Sequence, residues 1–303
     1  MPVCRLKRSM GDRFQVGVHC SRGVGPTHGG REQNEDNYLI ARQGRARFLD
    51  ENGDREGKVP GHAGIMLAVA DGMGGHSFGA LASATAIQAM LRLYNRGRPR
   101  APGSTLFQFV QKAHVRLRER ANAKGAADMG TTLTAIWVIE NQAWWVHVGD
   151  SRLYHLRDGS LSQLTRDHTR AEFARRDGRP LPRQPNALCQ SFIYGSRGLG
   201  SDQKIRLDRG VDTGHIELAR HDRLLLCSDG ISGALAHHEM AARLDRTSDN
   251  TAAQAADGLA EAAMQAGSTD NVTAVVLDVE QLLPVDDTTQ WNLFETTSDQ
   301  SED

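Results

Sequence analysis

The feature that most constrains the fold of this chain is an apolar stretch that stops at a carboxylate. Residues 67–70 are apolar and Asp71 follows them. The glycines that come next are Gly72, Gly74, Gly75 and Gly79. Because glycine has no Cβ, this backbone can turn tightly and approach a ligand closely. A carboxylate at a rigid strand end predicts a site for a hard metal ion, although an Asp-Gly pair alone is also a common turn.

Other acids occupy similar positions beside a strand and a glycine or turn. They are Glu35 with Asp36, Asp150, Asp229 before Gly230, and Asp270. Carboxylates gathered at one edge would repel one another and lose hydration unless cations neutralised them. With oxygen ligands and no His or Cys in the set, the pattern favours Mg²⁺ or Mn²⁺ over zinc. The sequence therefore predicts a divalent metal site.

The segments between these acids predict an α+β fold with antiparallel sheets. Short apolar runs with turn residues between them predict strands at residues 16–19, 38–41, 133–139, 143–148, 152–156, 161–164, 224–227 and 272–279. Residues 42–64 are interpreted as a surface hairpin, and the runs from 133 to 164 as a meander of successive hairpins.

Helical spacing of apolar residues predicts three helices. One passes through Ile87 and Tyr94, a second begins at Ser104 as N-cap and reaches Leu117, and a third covers residues 252–263.

Residues 92–124 are basic, and without interleaved aromatics they favour a solvated helix face over a nucleic-acid site. Residues 165–200 are rich in arginine and lack periodicity, which predicts an irregular flap that either reads a substrate or only adds solubility.

Composition excludes several classes of function. The 36 Lys and Arg nearly balance the 37 Asp and Glu, for a net charge of −1, so we expect no nucleic acid partner and no membrane. No apolar run approaches the roughly 18–20 residues that cross a bilayer. Four cysteines without a Cys-x-x-Cys pair predict free thiols: Cys4, Cys20, Cys189 and Cys227. A cytoplasmic location is the resulting expectation, and we also expect a monomer, although the residues alone do not determine the oligomeric state.

Seven motifs occur in an order that resembles the metal-dependent protein phosphatases of type 2C, in their bacterial form. They are Arg31-x-x-Asn-Glu-Asp36, Val69-Ala-Asp-Gly-Met-Gly-Gly75, Gly130-Thr-Thr-Leu133, Val148-Gly-Asp-Ser-Arg152, Leu164-Thr-Arg-Asp-His168, Cys227-Ser-Asp-Gly230 and Asp270-Asn-Val-Thr273. The resemblance implies a four-layer α-β-β-α sandwich with two central antiparallel sheets. It implies a catalytic domain at 14–281 with a flap over the metal site at about 165–205, between a flexible extension at 1–13 and an acidic disordered tail at 282–303.

The resemblance also implies a role for each acid. Asp71 would bridge two Mn²⁺ or Mg²⁺ ions, and Asp229 and Asp270 would hold the first. Glu35 and the Gly72 carbonyl would hold the second. Asp36 would orient metal-bound water, a third ion would lie at Asp150 and Asp229, and Arg31 would grip the substrate phosphate. Arg31, Asp36 and Asp71 are thus the expected catalytic residues.

The implied activity is hydrolysis of phosphoserine and phosphothreonine on proteins by direct attack of a metal-activated water. The partners would be phosphorylated proteins, a Ser/Thr kinase and its targets. Two divalent ions and a bidentate arginine suit phosphoryl transfer on chemical grounds as well. Met73 stands where eukaryotic relatives place a histidine, and His62 and His76 lie nearby, so the general acid is unassigned.

Two other functions are compatible with parts of the sequence. A dinucleotide site at Asp71-Gly72 is disfavoured, because the acid would repel a pyrophosphate and the following strands form hairpins. A catalytically inactive member that keeps the fold for binding is disfavoured because every expected metal carboxylate is present.

Overall fold

The computed structural model describes residues 13–50, 52–61, 63–73, 77–123, 130–184, 186, 188, 211–246 and 250–284. The strands in chain order are β1 (Phe14–Ser21), β2 (Asp36–Arg42), β3 (Arg45–Asp50), β4 (Gly53–Lys58), β5 (Ile65–Met73), β6 (Gly130–Thr131), β7 (Leu133–Ile139), β8 (Gln142–Val148), β9 (Arg152–Arg157), β10 (Ser160–Gln163), β11 (Asp212–Glu217), β12 (Arg223–Cys227) and β13 (Val272–Val279). The helices are α1 (Ser77–Tyr94), α2 (Pro102–Ala123), α3 (Arg170–Arg176), α4 (Asp229–Ser232), α5 (His237–Leu244) and α6 (Ala252–Gln265).

These strands form two antiparallel sheets. The smaller has the order β1-β13-β12-β9-β10, and the larger has the order β11-β8-β7-β5-β2-β3-β4, with β6 paired to β5. The surface hairpin expected within residues 42–64 is present as β3 and β4. The prediction of an α+β fold built on two antiparallel sheets is confirmed.

Three apolar cores separate four layers. Along β5, Leu67 and Val69 face the core between the sheets, whereas Met66 and Ala68 face the core under α1 and α2. This alternation is the period of two that a strand imposes. A third core, with Leu259, lies between the smaller sheet and α5 and α6. The central strands are therefore buried on both faces, as the apolar run at residues 133–139 predicted.

The meander predicted over residues 133–164 is wrong in one respect. β7 and β8 form a hairpin in the larger sheet, whereas β9 and β10 form a hairpin in the smaller sheet. The chain crosses from one sheet to the other at residues 149–151, so β8 and β9 do not pair. Gly149 permits this crossing, because its φ is +113° and a Cβ there would lie 2.6 Å from Thr132.

Two helix predictions also need correction. α2 begins at Pro102, whose fixed φ suits a first turn, and Ser104 lies inside the helix with its hydroxyl donating to the Ala101 carbonyl. The flap is helical at its start, because α3 begins after Thr169, whose hydroxyl accepts the Glu172 N–H. The helix α5 and the strand β11 were not predicted from the sequence.

Several expectations fall on other parts of the chain. Three ranges lie outside the described residues: 1–12, 189–210 and 285–303. The second includes the later part of the flap predicted at about 165–205, and Cys4 and Cys189 fall in the first two. Cys20 and Cys227 are free thiols. Among the described helices, none combines the length and the hydropathy needed to cross a bilayer.

Candidate functional site

The site is built on two strands of the larger sheet. Asp36 on β2 lies directly opposite Asp71 on β5 in the antiparallel register. By strand alternation, Asp71 shares a face with Leu67 and Val69, and the two acids therefore point toward the space between the sheets. The expectation that the strand stops at Asp71 is wrong, because β5 continues to Met73 and pairs there with β6.

The backbone of Asp71 is fixed by two threonines from the segment at β6 and β7. Its N–H donates to Thr132 Oγ1 at 2.9 Å. Its carbonyl accepts from Thr131 Oγ1 at 2.9 Å and from the Thr132 N–H at 2.9 Å. These threonines belong to the Gly130-Thr-Thr-Leu133 motif, which thereby acquires a physical role: it holds the central acid in place.

Asn271 ties the loop before β2 to the smaller sheet. Its Oδ1 accepts the Glu35 N–H at 2.8 Å, and its Nδ2 donates to the Gln33 carbonyl at 3.0 Å. The Glu35 carbonyl accepts the Gly72 N–H at 3.2 Å, and the Glu35 carboxylate lies so close to Gly79 that a Cβ there would be 2.6 Å from it. Gly72 and Gly79 therefore allow the backbone to pack closely against Glu35.

Asp36 is buried and is held by two hydroxyl groups of the smaller sheet. Its Oδ2 accepts from Ser228 Oγ at 2.7 Å and from Thr273 Oγ1 at 2.6 Å. Burial raises the pKa of Asp36 to about 7, although the two hydroxyls favour its ionised form. Sequence reasoning missed Ser228 and Thr273. The available signal was strand alternation, because Ser228 shares parity with Leu226, which faces the space between the sheets.

The acids from separate parts of the chain converge at this end of the sandwich. Burial raises the pKa of Asp71 well above its ordinary value, and the negative charges of neighbouring aspartates raise it further. Those neighbours are Asp36, Asp229, Asp150 and Asp270. The Asp71 carboxyl group lies close to that of Asp229.

The pKa values of Asp229 and Asp150 are raised in the same way. Burial raises the pKa of Asp229, and the charge of Asp270 adds to the effect. Burial also raises the pKa of Asp150 to about 7, with further contributions from Asp229 and Asp167. Four aspartates thus resist ionisation together, which is the electrostatic condition that a divalent cation relieves.

Arg31 lies at the rim of this cluster and contacts one of its members. Its Nε and one terminal nitrogen donate to the two oxygens of Asp270 at 2.8 and 2.7 Å. The Arg31 side chain is 56% exposed. The residue expected to grip phosphate is therefore paired with an expected metal ligand, and the guanidinium faces the site.

The donor set fits a hard divalent cation in its chemistry. The grouped donors are carboxylate oxygens whose pKa values are raised, together with the buried backbone of Gly72. Within the described residues, no three His, Cys, Asp or Glu side chains form a ready-made coordination group as they stand. The hydrogen bonds from Arg31 engage both carboxylate oxygens of Asp270, which are atoms that an ion would need.

The general acid stays unassigned. Met73 ends β5, and His62 and His76 lie outside the described residues.

Comparison with known proteins places this arrangement in a family. Residues 52–266, more than half of the chain, match the family model described as Protein phosphatase 2C. The chain belongs to the protein phosphatase 2C family. The site residues Arg31, Glu35 and Asp36 precede the matched segment in sequence. The pairing of β2 with β5 places Asp36 opposite Asp71, and Arg31 contacts Asp270.

Two curated proteins with similar sequences illustrate the relationship. The serine/threonine protein phosphatase PstP of Mycobacterium tuberculosis is 36% identical over 220 residues, which cover 71% of this chain and 40% of PstP. The protein phosphatase PhpP of Streptococcus pneumoniae is 29% identical over 224 residues, covering 71% of this chain and 86% of PhpP. The chain thus spans less than half the length of PstP.

A solved structure shows the same fold. The catalytic domain of PstP in complex with two manganese ions superposes with a TM-score of 0.67 and 30% identity, covering 89% of this chain and 99% of that domain. The prediction of a bacterial-type phosphatase 2C sandwich is confirmed at the level of family and fold.

Proposed function

We propose that this chain is a metal-dependent protein phosphatase that hydrolyses phosphoserine and phosphothreonine in proteins and opposes a Ser/Thr kinase. The observation that carries the proposal is the convergence of aspartates from distant parts of the chain around Asp71. The names of PstP and PhpP, both protein phosphatases, support the reaction class.

The metal ligands in this proposal follow the positions of the acids. Two Mn²⁺ or Mg²⁺ ions would be held by Asp71, Asp229, Asp270, Glu35 and the Gly72 carbonyl, with a third at Asp150 and Asp229. When bound, such ions activate water and stabilise charge on a phosphoryl group. The manganese ions in the PstP structure support the choice of metal.

Asp36 has the properties of a group that orients water. Because both hydroxyls bind the same oxygen, the carboxylate keeps one orientation in the space between the sheets.

Arg31 has the properties of a phosphate anchor. Its guanidinium presents two parallel N–H groups to Asp270, and the same fork matches two oxygens of a phosphoryl group. Its half-exposed position at the rim leaves it accessible to a substrate from solution.

The decisive experiment is phosphate release from a phosphothreonine peptide in the presence of Mn²⁺. Asp71→Asn should lower kcat by more than the roughly 10- to 100-fold that is typical of residues that only support a metal ligand. Asp158→Asn is the matched control, because Asp158 is exposed in the turn after β9 and asparagine tolerates its positive φ.

The alternative of an inactive binding protein gives a different result. Folded protein that binds Mn²⁺ in calorimetry and releases no phosphate would favour that alternative. Protein that binds no Mn²⁺ would contradict the metal site itself.

A further inference from the structure

His168 contacts the turn that carries Asp150. The imidazole is buried, in the loop of residues 164–169 between β10 and α3. The His168 N–H donates to the Gly149 carbonyl at 2.7 Å. The Gly149 N–H donates to His168 Nδ1 at 3.1 Å. The N–H and the carbonyl of Gly149, the residue before Asp150, are therefore both hydrogen-bonded to His168.

The hydrogen bond from Gly149 fixes the tautomer of that histidine. A backbone N–H can only donate, so Nδ1 must accept, and the neutral ring carries its proton on Nε2. Nε2 lies 3.5 Å from Asp212 Oδ2, within ion-pair distance but beyond the usual range of a hydrogen bond. The interaction with His168 is the largest cause of the lowered pKa of Asp212. Asp212 therefore stabilises the tautomer that Gly149 requires.

The rest of the 164–169 loop gives this contact a rigid base. His147 Nε2 lies 2.9 Å from the Arg166 carbonyl, and Asp167 receives two hydrogen bonds from Arg152. Burial lowers the pKa of His147 to about 3, so this ring is neutral and donates from Nε2. His168 is thus the member of the loop that reaches the Asp150 turn from a fixed position.

We propose that His168 is a positioning residue that orients Asp150 toward Asp229 through the Gly149 peptide, with Asp212 holding its tautomer. The proposal rests on the proposed function, because it takes Asp150 to be a metal ligand. The chemistry has precedent in general terms, since residues that orient a ligand without touching the metal commonly change metal affinity by 10- to 100-fold.

Hydrogen exchange at the Gly149 amide tests the first link without any metal or activity. His168→Ala removes the acceptor, so the Gly149 amide should exchange at least about tenfold faster than in the wild type. His168→Asn places Oδ1 where Nδ1 was and should keep the slow exchange. If the two variants exchange alike, His168 does not hold this peptide.

Mn²⁺ calorimetry tests the second link. His168→Ala should weaken Mn²⁺ binding by about 10- to 100-fold at the site that Asp150→Asn also weakens, and His168→Asn should keep most of the affinity. The double variant His168→Ala/Asp150→Asn should be no worse than Asp150→Asn alone, because both changes act on one site. An additive loss, or an Asp150→Asn variant with the wild-type isotherm, would overturn the proposal.

Asp212→Asn should reproduce part of the loss, because the amide no longer attracts Nε2–H with a full charge. Glu217→Gln, an exposed change on the same strand, is its control and should bind Mn²⁺ like the wild type. Normal Mn²⁺ binding without phosphatase activity would refute the proposed function and leave this inference intact.

Discussion

The hydroxyl pair on Asp36 joins the two sheets at the site. Asp36 belongs to the larger sheet, whereas Thr273 lies on β13 of the smaller sheet and Ser228 directly follows β12. A buried carboxylate without such donors would destabilise the folded state, because it would lose its hydrogen bonds to water and gain none in return. The pair therefore has two roles, since it stabilises the sandwich and fixes one oxygen of a candidate catalytic group.

Removing one hydroxyl should lower turnover while the fold survives. Thr273→Val keeps the shape of the side chain but deletes a hydrogen bond to a charged group, worth about 1.5–3 kcal/mol. We expect kcat on a phosphothreonine peptide to fall by roughly 10- to 100-fold at saturating Mn²⁺.

Thr273→Ser is the control, because it keeps the hydroxyl and loses a methyl group. Equal rates in the two variants would show that the Asp36 clamp has no part in turnover. Circular dichroism would establish that both variants remain folded.

At the scale of elements, the crossing between sheets at residues 149–151 places an acid at the site. Ser151 Oγ lies 2.6 Å from Thr132 Oγ1, which also accepts the Asp71 N–H. The crossing is therefore linked through one hydrogen-bonded threonine to the central acid. A change in the crossing should affect both stability and the site.

Gly149→Ala should be much more harmful than the same change in a turn. The alanine would need a φ of +113° and would place its Cβ 2.6 Å from Thr132, so strain and collision add. Gly159→Ala in the β9–β10 turn has a positive φ as well, but its Cβ would meet no atom within 4 Å.

We expect urea unfolding to show a loss of about 1 kcal/mol for Gly159→Ala and at least about 2 kcal/mol more for Gly149→Ala. Similar losses in the two variants would mean that backbone conformation alone explains the need for glycine at 149.

Element boundaries show what the sequence could predict. Turn residues such as Asp158-Gly159 predicted the hairpins correctly, because a tight turn is a local property. The sheet to which each hairpin belongs depends on distant pairing, so the crossing at Gly149 was missed. α3 was missed although Thr169-x-x-Glu172 is a capping pattern that indicates a helix start.

For the site, too, local features were predicted and contacts between distant parts of the chain were not. The acids were found because each lies in a short motif beside glycine or a turn, which is a signal within a few residues. The partners of Asp36 were not found, because Ser228 is 192 positions away along the chain. Only the register of the two sheets brings such pairs together.

For the whole molecule, the grouped acids make stability depend on pH and on cations. Asp36 and Asp150 have pKa values of about 7 in the folded protein, above the ordinary value of 3.8. Between these values the folded state holds more protons than the unfolded state. Stability without metal therefore falls as pH rises from about 4 to 7, by up to about 1.4 kcal/mol per pH unit for each such proton.

A bound cation should reverse this trend, because it favours the ionised carboxylates and lowers their pKa values. His147 has the opposite effect, since its pKa of about 3 makes stability rise with pH up to about 6.5. Comparing urea unfolding in EDTA and in MnCl₂ at each pH cancels that contribution. We expect the stabilisation by Mn²⁺ to grow from pH 5 to about pH 7, to level off above that pH, and to be smaller in Asp150→Asn. A stabilisation by Mn²⁺ that does not change with pH would show that metal binding is not coupled to the ionisation of these carboxylates.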